Sequence, residues 1–154
     1  MATAALVTWL VTAVFGAAML TLWARAGGLR AAGVGAGGTA TTTVPGRREA
    51  PREARGTAFP PALVFGHFLL AVAGLVLWIV FLATGVGPLT WVSFALLLLV
   101  VGGGAVLFGR WVGEHPGDQA ESRLPKPVVY LHGVFAVVTL LLVLLAALGI
   151  GGRA

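Results

Sequence analysis

Four segments of the chain are almost continuously apolar, and each is long enough to cross a bilayer as a helix. A spanning helix needs about 20 predominantly apolar residues, because the hydrocarbon core of a membrane is about 30 Å thick. None of the four segments contains Asp, Glu, Lys or Arg. The pattern predicts an all-α fold, a four-helix transmembrane bundle that makes residues 1–154 a single membrane domain. The predicted helices cover residues 4–24, 62–84, 89–108 and 128–148.

Polar and small residues between the helices predict how they connect. Residues 26–61 are rich in Gly, Ala and Thr and then in Pro and charge. Such a composition buries too little apolar area to offset its ordering entropy, so a mobile loop is expected. Only Gly-Val-Gly-Pro, residues 85–88, separates the second helix from the third, which predicts a tight antiparallel hairpin. Residues 109–127 form a second, polar connection.

The second and fourth helices resemble each other in sequence. Each carries one histidine near its start, in VFGHFLLAV and in VYLHGVFAV. When His67 is aligned with His132, Ala71 also falls on Ala136. The first and third helices share only a Thr-Trp pair near the start and an Arg at the end. This likeness favours two tandem two-helix repeats.

Composition supports a membrane protein and excludes a soluble core. Hydrophobic residues make up 58% of the chain and charged residues 10%, and the mean hydropathy is +0.99. Soluble domains carry about 25% charged residues. The chain contains no cysteine, which excludes disulfides, thiolate metal sites, iron–sulfur clusters and covalently attached c-type haem.

The net charge is +5. The positions of the basic residues indicate a membrane topology and not a surface that binds nucleic acid. All basic residues except Arg153 lie in or beside the two long connections. By the positive-inside rule, these connections face the cytoplasm of a bacterial inner (cytoplasmic) membrane and both termini lie outside. The first helix is expected to be retained, since no basic residue precedes it as in a signal peptide. The expected partners are the lipid bilayer and a second membrane protein or another copy of the chain, with no nucleic acid.

Aromatic residues near the helix ends are expected to anchor the bundle, because Trp and Tyr prefer the membrane interface. One group is expected at the inner interface and one at the outer interface, and Trp78 alone lies deeper. The inner group is Trp23, Trp111 and Tyr130, and the outer group is Trp9 and Trp91.

The two helix histidines are the residues that point to a function. His67 lies six residues after Pro61, and His132 lies five residues after Pro127. At about 1.5 Å per residue, both lie about 8 Å inside the inner end of the bundle. Small residues follow each histidine at helical spacing, which is typical of surfaces where membrane helices approach closely. Both side chains are therefore expected to face the bundle interior.

Two imidazoles at one depth on parallel helices suit a single b-type haem, whose iron takes one nitrogen from His67 and one from His132. Gly66 and Gly133 adjoin the histidines in sequence. Two other interpretations stay open: each histidine bonds a neighbouring carbonyl or reaches the head groups, or the pair serves a quinone, a metal ion or a proton. The basic residues predicted to pair with the haem propionates are Arg55, Arg123 and Lys126.

The histidine segments also carry a resemblance to known families. With VFGHFLLAV and VYLHGVFAV opening its second and fourth helices, the chain resembles small four-helix bacterial integral membrane proteins of unknown function. It is loosely similar to bis-histidine membrane cytochromes b and copper-resistance-type membrane domains. This resemblance implies haem ligation by His67 and His132. The chain departs from the two-haem members, which need four ligands, because its only other histidine, His115, lies in a loop.

Other chemistries have weaker support. A zinc site would combine His67 and His132 with His115 and a loop carboxylate, Glu114 or Asp118, but no close ligand spacing is present. The Gly-Gly-Gly sequence at 102–104 lies inside an apolar helix and predicts close packing or a kink. No nucleophile with a recognisable partner base is found, so no catalytic residue and no enzymatic activity is predicted.

Three function classes remain for the bundle. The first is redox chemistry or sensing, with His67 and His132 as ligands of one haem b. The second is a non-catalytic accessory or scaffold subunit of a membrane complex. The third is a transporter of a small neutral solute, and the residues expected to line its lumen are Thr8, Thr12, Ser93 and Thr139.

Overall fold

The computed structural model describes residues 1–30, 57–113 and 119–150. These residues form four long helices and a turn of 3₁₀ helix, which confirms the predicted all-α four-helix bundle. Each long helix is long and apolar enough to cross a membrane, so the chain is a multi-pass membrane protein whose helix surfaces contact lipid. The helices are α1 (Ala2–Arg25), α2 (Pro61–Thr84), α3 (Pro88–Gly113) and α4 (Lys126–Ala147), and the 3₁₀ helix is Ala120–Arg123.

Some predictions concern residues outside the described parts of the chain. Most of the predicted mobile loop 26–61 falls there, as do the loop ligands of the zinc hypothesis and several basic residues. The individual residues concerned are Glu114, His115 and Asp118, and Arg47, Arg48, Arg52, Arg55 and Arg153.

Proline and glycine determine where the helices begin and end. Pro61 and Pro127 occupy the first turns of α2 and α4, where the missing N–H breaks no intrahelical hydrogen bond. α2 ends at Thr84, and its C-cap Gly85 has a left-handed φ of 71°. α3 begins shortly after and packs along α2. The predicted hairpin is therefore confirmed. α3 ends at Gly113, beyond the predicted end at residue 108. The reason is that Arg110 marks the edge of the hydrocarbon region and not the end of the helix.

The helices pack as two tight pairs. α2 packs along α3, and α1 packs along α4. α3 also contacts α4, while α1 contacts α2 over a shorter stretch. α2 and α4, which carry the two helix histidines, therefore lie diagonally across the bundle. The end at which α1 and α3 finish and α2 and α4 begin is termed the basic end, because every described Lys and Arg lies there. These residues are Arg25, Arg30, Arg110, Arg123 and Lys126.

Two clusters of buried side chains hold the helices together. The cluster away from the basic end is built around Trp9 and Trp78. Trp9 packs on Gly74, where an added Cβ would lie 3.0 Å from the indole ring, so any larger residue would force the ring to shift. The basic-end cluster is built around Trp23 and Trp111. Many large apolar side chains outside the clusters are exposed, as expected where lipid and not water surrounds the helices.

Three of the predicted interfacial anchors are buried. Trp9, Trp23 and Trp111 are 3%, 2% and 6% exposed, so their indoles pack between protein segments and the anchor prediction is wrong for them. The hydropathy pattern cannot separate a tryptophan that faces a neighbouring helix from one that faces lipid, because both surroundings are apolar. Tyr130 and Trp91 are 54% and 48% exposed, as interfacial anchors require.

Burial in α2 and α4 follows the alignment of the two histidines. Positions 65 residues apart, the separation of His67 and His132, are buried together in the two helices. A buried residue also lies directly before the N-cap of each of these two helices, and these two residues are again 65 positions apart. The pairs are Gly74 with Thr139, Trp78 with Val143, and Phe59 with Leu124.

Burial in α1 and α3 follows a second constant separation. Buried positions of the two helices lie 88 residues apart. Trp9 therefore corresponds to Leu97, and not to Trp91 as an alignment on the Thr-Trp pairs implies. The helices are equivalent in packing although their side chains differ in chemistry. The pairs are Ala2 with Thr90, Ala5 with Ser93, Trp9 with Leu97, and Trp23 with Trp111.

Candidate functional site

The structure brings the two helix histidines together. The ring centroids of His67 and His132 are 6.3 Å apart, and the ring planes form an angle of 60°. α2 begins at Pro61 and α4 begins at Lys126, so each histidine is the seventh residue of its helix. At about 1.5 Å per residue, both lie about 9 Å from the first residue of the helix. The predicted common depth is confirmed.

Each imidazole is held by a backbone carbonyl of a neighbouring helix. His67 Nδ1 lies 2.9 Å from the carbonyl oxygen of Val100 in α3. His132 Nδ1 lies 3.0 Å from the carbonyl oxygen of Thr12 in α1. Because a carbonyl oxygen only accepts, the donated proton is assigned to Nδ1 in both rings. These contacts confirm that both side chains face the bundle interior.

The carbonyl bonds use only one nitrogen of each ring. With the proton on Nδ1, Nε2 of a neutral imidazole carries the free lone pair. The hydrogen bonds of His67 and His132 to described residues involve Nδ1 alone, and neither Nε2 is among the described side-chain atoms that are fully enclosed without a partner. The expected carbonyl bonding is confirmed, and it leaves one basic nitrogen per ring available as a ligand.

Glycines on α1 and α3 allow the backbone of these helices to approach the rings. A Cβ added at Gly16 would lie 3.1 Å from His132 Cε1, and one added at Gly104 would lie 3.1 Å from His67 Cε1. This spacing is tighter than ordinary van der Waals contact. The predicted close packing within the sequence Gly-Gly-Gly at 102–104 is thus confirmed at Gly104.

The two histidine contacts are copies of one arrangement. In each, a carbonyl and the glycine four residues later on the same helix contact one imidazole ring. Thr12 and Gly16 of α1 lie 88 residues before Val100 and Gly104 of α3, which is the separation of the other buried positions of these helices. The two halves of the bundle therefore repeat one packing arrangement, and each half places one histidine in it.

The glycines next to the histidines in sequence do not make this contact. A Cβ added at Gly66 or Gly133 would meet nothing within 4 Å. Gly16 makes the contact and was not singled out by sequence reasoning. Its position 88 residues before Gly104 is the signal that could have identified it, once the repeat in α1 and α3 is recognised.

A buried glutamate lies at the basic end of the bundle. Glu121, in the 3₁₀ helix, is 2% exposed. Its Oε1 accepts hydrogen bonds from Trp23 Nε1 at 3.1 Å, from the Phe59 N–H at 3.1 Å and from the Thr57 hydroxyl. Its Oε2 has no hydrogen-bond partner among the described residues. In the sequence, Glu121 lies in a polar connection between two apolar helices, and nothing near it signals that this connection folds back onto the helices.

The four hydroxyl residues of the transport hypothesis do not form one polar network. Thr8, Thr12 and Thr139 donate to carbonyls of their own helices. Ser93 is fully buried, and its Oγ has no hydrogen-bond partner among the described residues. Thr8 and Thr12 are half-buried, so these residues do not face lipid as a group.

The histidine pair offers two nitrogen ligands. No group of three or more His, Cys, Asp or Glu side chains occurs in the described parts of the chain. Zinc sites use three or four protein ligands, which His67 and His132 do not provide by themselves. Haem iron takes one or two protein ligands, because the porphyrin nitrogens supply the others. The donor set of the described site therefore suits haem better than a bare metal ion.

The fold and the site define a class: a polytopic α-helical membrane protein with a histidine pair inside its bundle near one end. No protein-family model, no curated protein and no solved structure matches the chain.

Proposed function

We propose that the protein binds one b-type haem between His67 and His132 and uses it for electron transfer or sensing. The observation that carries this proposal is the 6.3 Å separation of the two ring centroids. A metal–imidazole nitrogen bond is about 2 Å, and an imidazole nitrogen lies about 1.1 Å from its ring centre when ring bonds are about 1.3 Å. Two imidazoles on opposite sides of one iron therefore have ring centres about 6.3 Å apart.

The bonds made by Nδ1 support the same assignment. Histidines that bind metals through one nitrogen commonly donate the other N–H to a carbonyl, which fixes the tautomer, orients the ring and raises the basicity of the ligating nitrogen. Val100 and Thr12 supply these carbonyls to His67 and His132. Without a cofactor, the two Nε2 atoms are acceptors with no donor among the described residues. A purely structural role accounts for the Nδ1 bonds but not for the proximity of two such acceptors.

The histidine layer lies between the two clusters of buried side chains. On the side of the basic end it is covered by Trp23 and Trp111, and towards the other end by the cluster around Trp9 and Trp78. A bound haem supplies a one-electron iron couple, whose potential depends on axial ligands, burial and nearby hydrogen bonds. Lys126, exposed at the start of α4, is suited to pair with a propionate at the basic end.

The proposal is tested by absorption spectroscopy of the full chain, purified in detergent from cells supplied with a haem precursor. We expect a Soret band and a band that sharpens on reduction with dithionite. His67→Ala and His132→Ala remove one axial ligand each and are expected to abolish the six-coordinate spectrum. His115→Ala is the matched control, because it removes the third histidine, which lies outside both helices, and it should leave the spectrum unchanged.

A wild-type protein that stays colourless after incubation with haem would refute this proposal. The same holds if both helix variants keep the wild-type spectrum. Either result would favour the accessory-subunit and neutral-solute transport functions.

The orientation in the membrane follows from the position of charge. All described basic residues lie at the basic end, which supports placing this end in the cytoplasm and both termini outside a bacterial inner membrane. The haem would then lie closer to the cytoplasmic face. Since the chain has no cysteine, Val86→Cys and Ser122→Cys can each be labelled selectively.

A membrane-impermeant maleimide applied to intact cells with a permeable outer membrane should label the cysteine at position 86. The cysteine at position 122 should react only after the inner membrane is disrupted. The reverse pattern of labelling would show that the topology is inverted.

A further inference from the structure

Glu121 joins three segments that determine where the histidines lie. Phe59 directly precedes the N-cap of α2, and Glu121 lies shortly before the N-cap of α4. Trp23 lies in the last turn of α1, the helix whose carbonyl holds His132. One carboxylate oxygen therefore connects the starts of both histidine helices and the end of a third helix.

The cluster around this carboxylate packs directly against the histidine layer. Phe59 and Leu124 are buried in it, and Val64 and Val129 pack on its inner side. Val64 and Val129 each precede a histidine by three residues, which is about one helical turn. Because protein interiors are close-packed and transmit strain, a shift at the start of α2 or α4 changes the positions of the rings.

The carboxylate is the acceptor that the surrounding donors share. An apolar side chain would leave the Trp23 indole, the Phe59 N–H and the Thr57 hydroxyl without their common acceptor. The Trp23 indole and the Phe59 N–H would keep Thr57 Oγ1 as their remaining acceptor, at 3.2 Å each, and would no longer be tied to the segment before α4. Burial of the carboxylate is itself costly, since Oε2 has no hydrogen-bond partner among the described residues. A role for this buried group in fixing the relative placement of the segments that it joins accounts for its cost.

We propose that Glu121 is a positioning residue that sets the separation of His67 and His132 by fixing the starts of α2 and α4. The effect of Glu121 on iron ligation rests on the proposed haem function. If both histidines bind one iron, the separation of their rings can change only a little before one of them loses the iron. Loss of the carboxylate lets one histidine leave the iron while the bundle stays folded.

The first test uses the haem-loaded full chain. We expect Glu121→Ala to convert a large part of the ferric haem from low spin to high spin and to let the ferrous protein bind carbon monoxide, which the six-coordinate wild type excludes. Glu121→Gln keeps an oxygen acceptor for the same donors and should restore the low-spin spectrum. Ser122→Ala is the matched control, since Ser122 is exposed and its hydroxyl donates to the carbonyl of Gln119 in the same turn.

The second test needs no haem and separates failure of this inference from failure of the proposed function. Gly66 and Gly133 adjoin the histidines, and a Cβ at either position meets nothing within 4 Å. In a chain without cysteine, Gly66→Cys and Gly133→Cys can carry one spin label each. Pulsed EPR should then show one narrow distance distribution in the otherwise unchanged protein and a shifted or broader one after Glu121→Ala.

The two tests distinguish the positioning role of Glu121 from the binding of haem. If the distance distribution is the same with and without Glu121→Ala, or if the loaded variant stays low-spin and excludes carbon monoxide, Glu121 does not position the histidines. If the distribution changes but the wild type binds no haem, Glu121 is confirmed as the positioning residue and the haem proposal fails. If Glu121→Ala does not fold, the double variant Trp23→Phe and Thr57→Val removes two donors, keeps the carboxylate and undergoes the same two measurements.

Discussion

At the scale of single residues, the geometry of the histidine pair depends on atoms that surround the histidines and not on the histidines alone. Val100 and Thr12 contribute through backbone carbonyls, so their side chains can vary while their contact with the rings is kept. Gly16 and Gly104 contribute through the absence of a side chain. The residue types expected to matter most are therefore the histidines and these two glycines.

Gly104→Ala provides a direct test of the glycine contacts. The added methyl would lie 3.1 Å from His67 Cε1, so the ring must shift by a few tenths of an ångström while it is held by its hydrogen bond to the Val100 carbonyl. Changes to groups that orient a metal ligand typically lower metal affinity by about 10- to 100-fold, and we expect a loss of haem affinity in this range by titration. Gly102→Ala is the control, because a Cβ there meets nothing within 4 Å. Equal haem affinity in the two variants would show that the contact has no role.

The sequence was sufficient to predict that both histidines lie at one depth inside the bundle, because depth depends only on counting residues from the helix start. It was not sufficient to predict which atoms hold them. The contacts of His67 with Gly104 and of His132 with Gly16 depend on how the paired helices are rotated about their axes, and hydropathy does not determine this rotation in a chain that is apolar on nearly all sides.

At the scale of helices and their connections, the apolar pattern predicts the four helices closely, since a membrane requires every spanning backbone group to be satisfied within a helix. The connections were harder to predict. Glu121 was assigned to a polar loop, whereas the structure folds this segment back so that Trp23 and Phe59 donate to its carboxylate. A folded-back connection is a tertiary interaction, and no local pattern encodes it.

The hairpin between α2 and α3 depends on one backbone conformation. Gly85 has a φ of 71°, and a left-handed conformation costs about 1–2 kcal/mol in a residue with a Cβ. Gly85→Ala should lower the free energy of unfolding by this amount in a detergent–SDS titration. Gly87→Ala, in the same turn but without a positive φ, should cause no such loss. Equal stability of the two variants would show that the left-handed backbone at Gly85 imposes no strain on a residue with a Cβ.

At the scale of the whole molecule, the two halves of the bundle repeat one unit around the histidine pair. Residues 88 apart in α1 and α3, and 65 apart in α2 and α4, occupy equivalent buried positions. The repeat gives each half one histidine, so the histidine pair requires both halves. Glu121 departs from the symmetry, because it connects Trp23 of the first half to the start of the second.

The most direct measurement of the central claim is a titration of the haem-free, detergent-purified protein with haem, followed by absorption and EPR spectroscopy. The haem proposal predicts saturation at one haem per chain and a single low-spin signal. The 60° angle between the rings predicts imidazole planes closer to perpendicular than to parallel. The double variant His67→Ala and His132→Ala should show no saturable binding. If the wild type binds no haem, or if the double variant binds haem as well as the wild type does, there is no haem site between the two histidines.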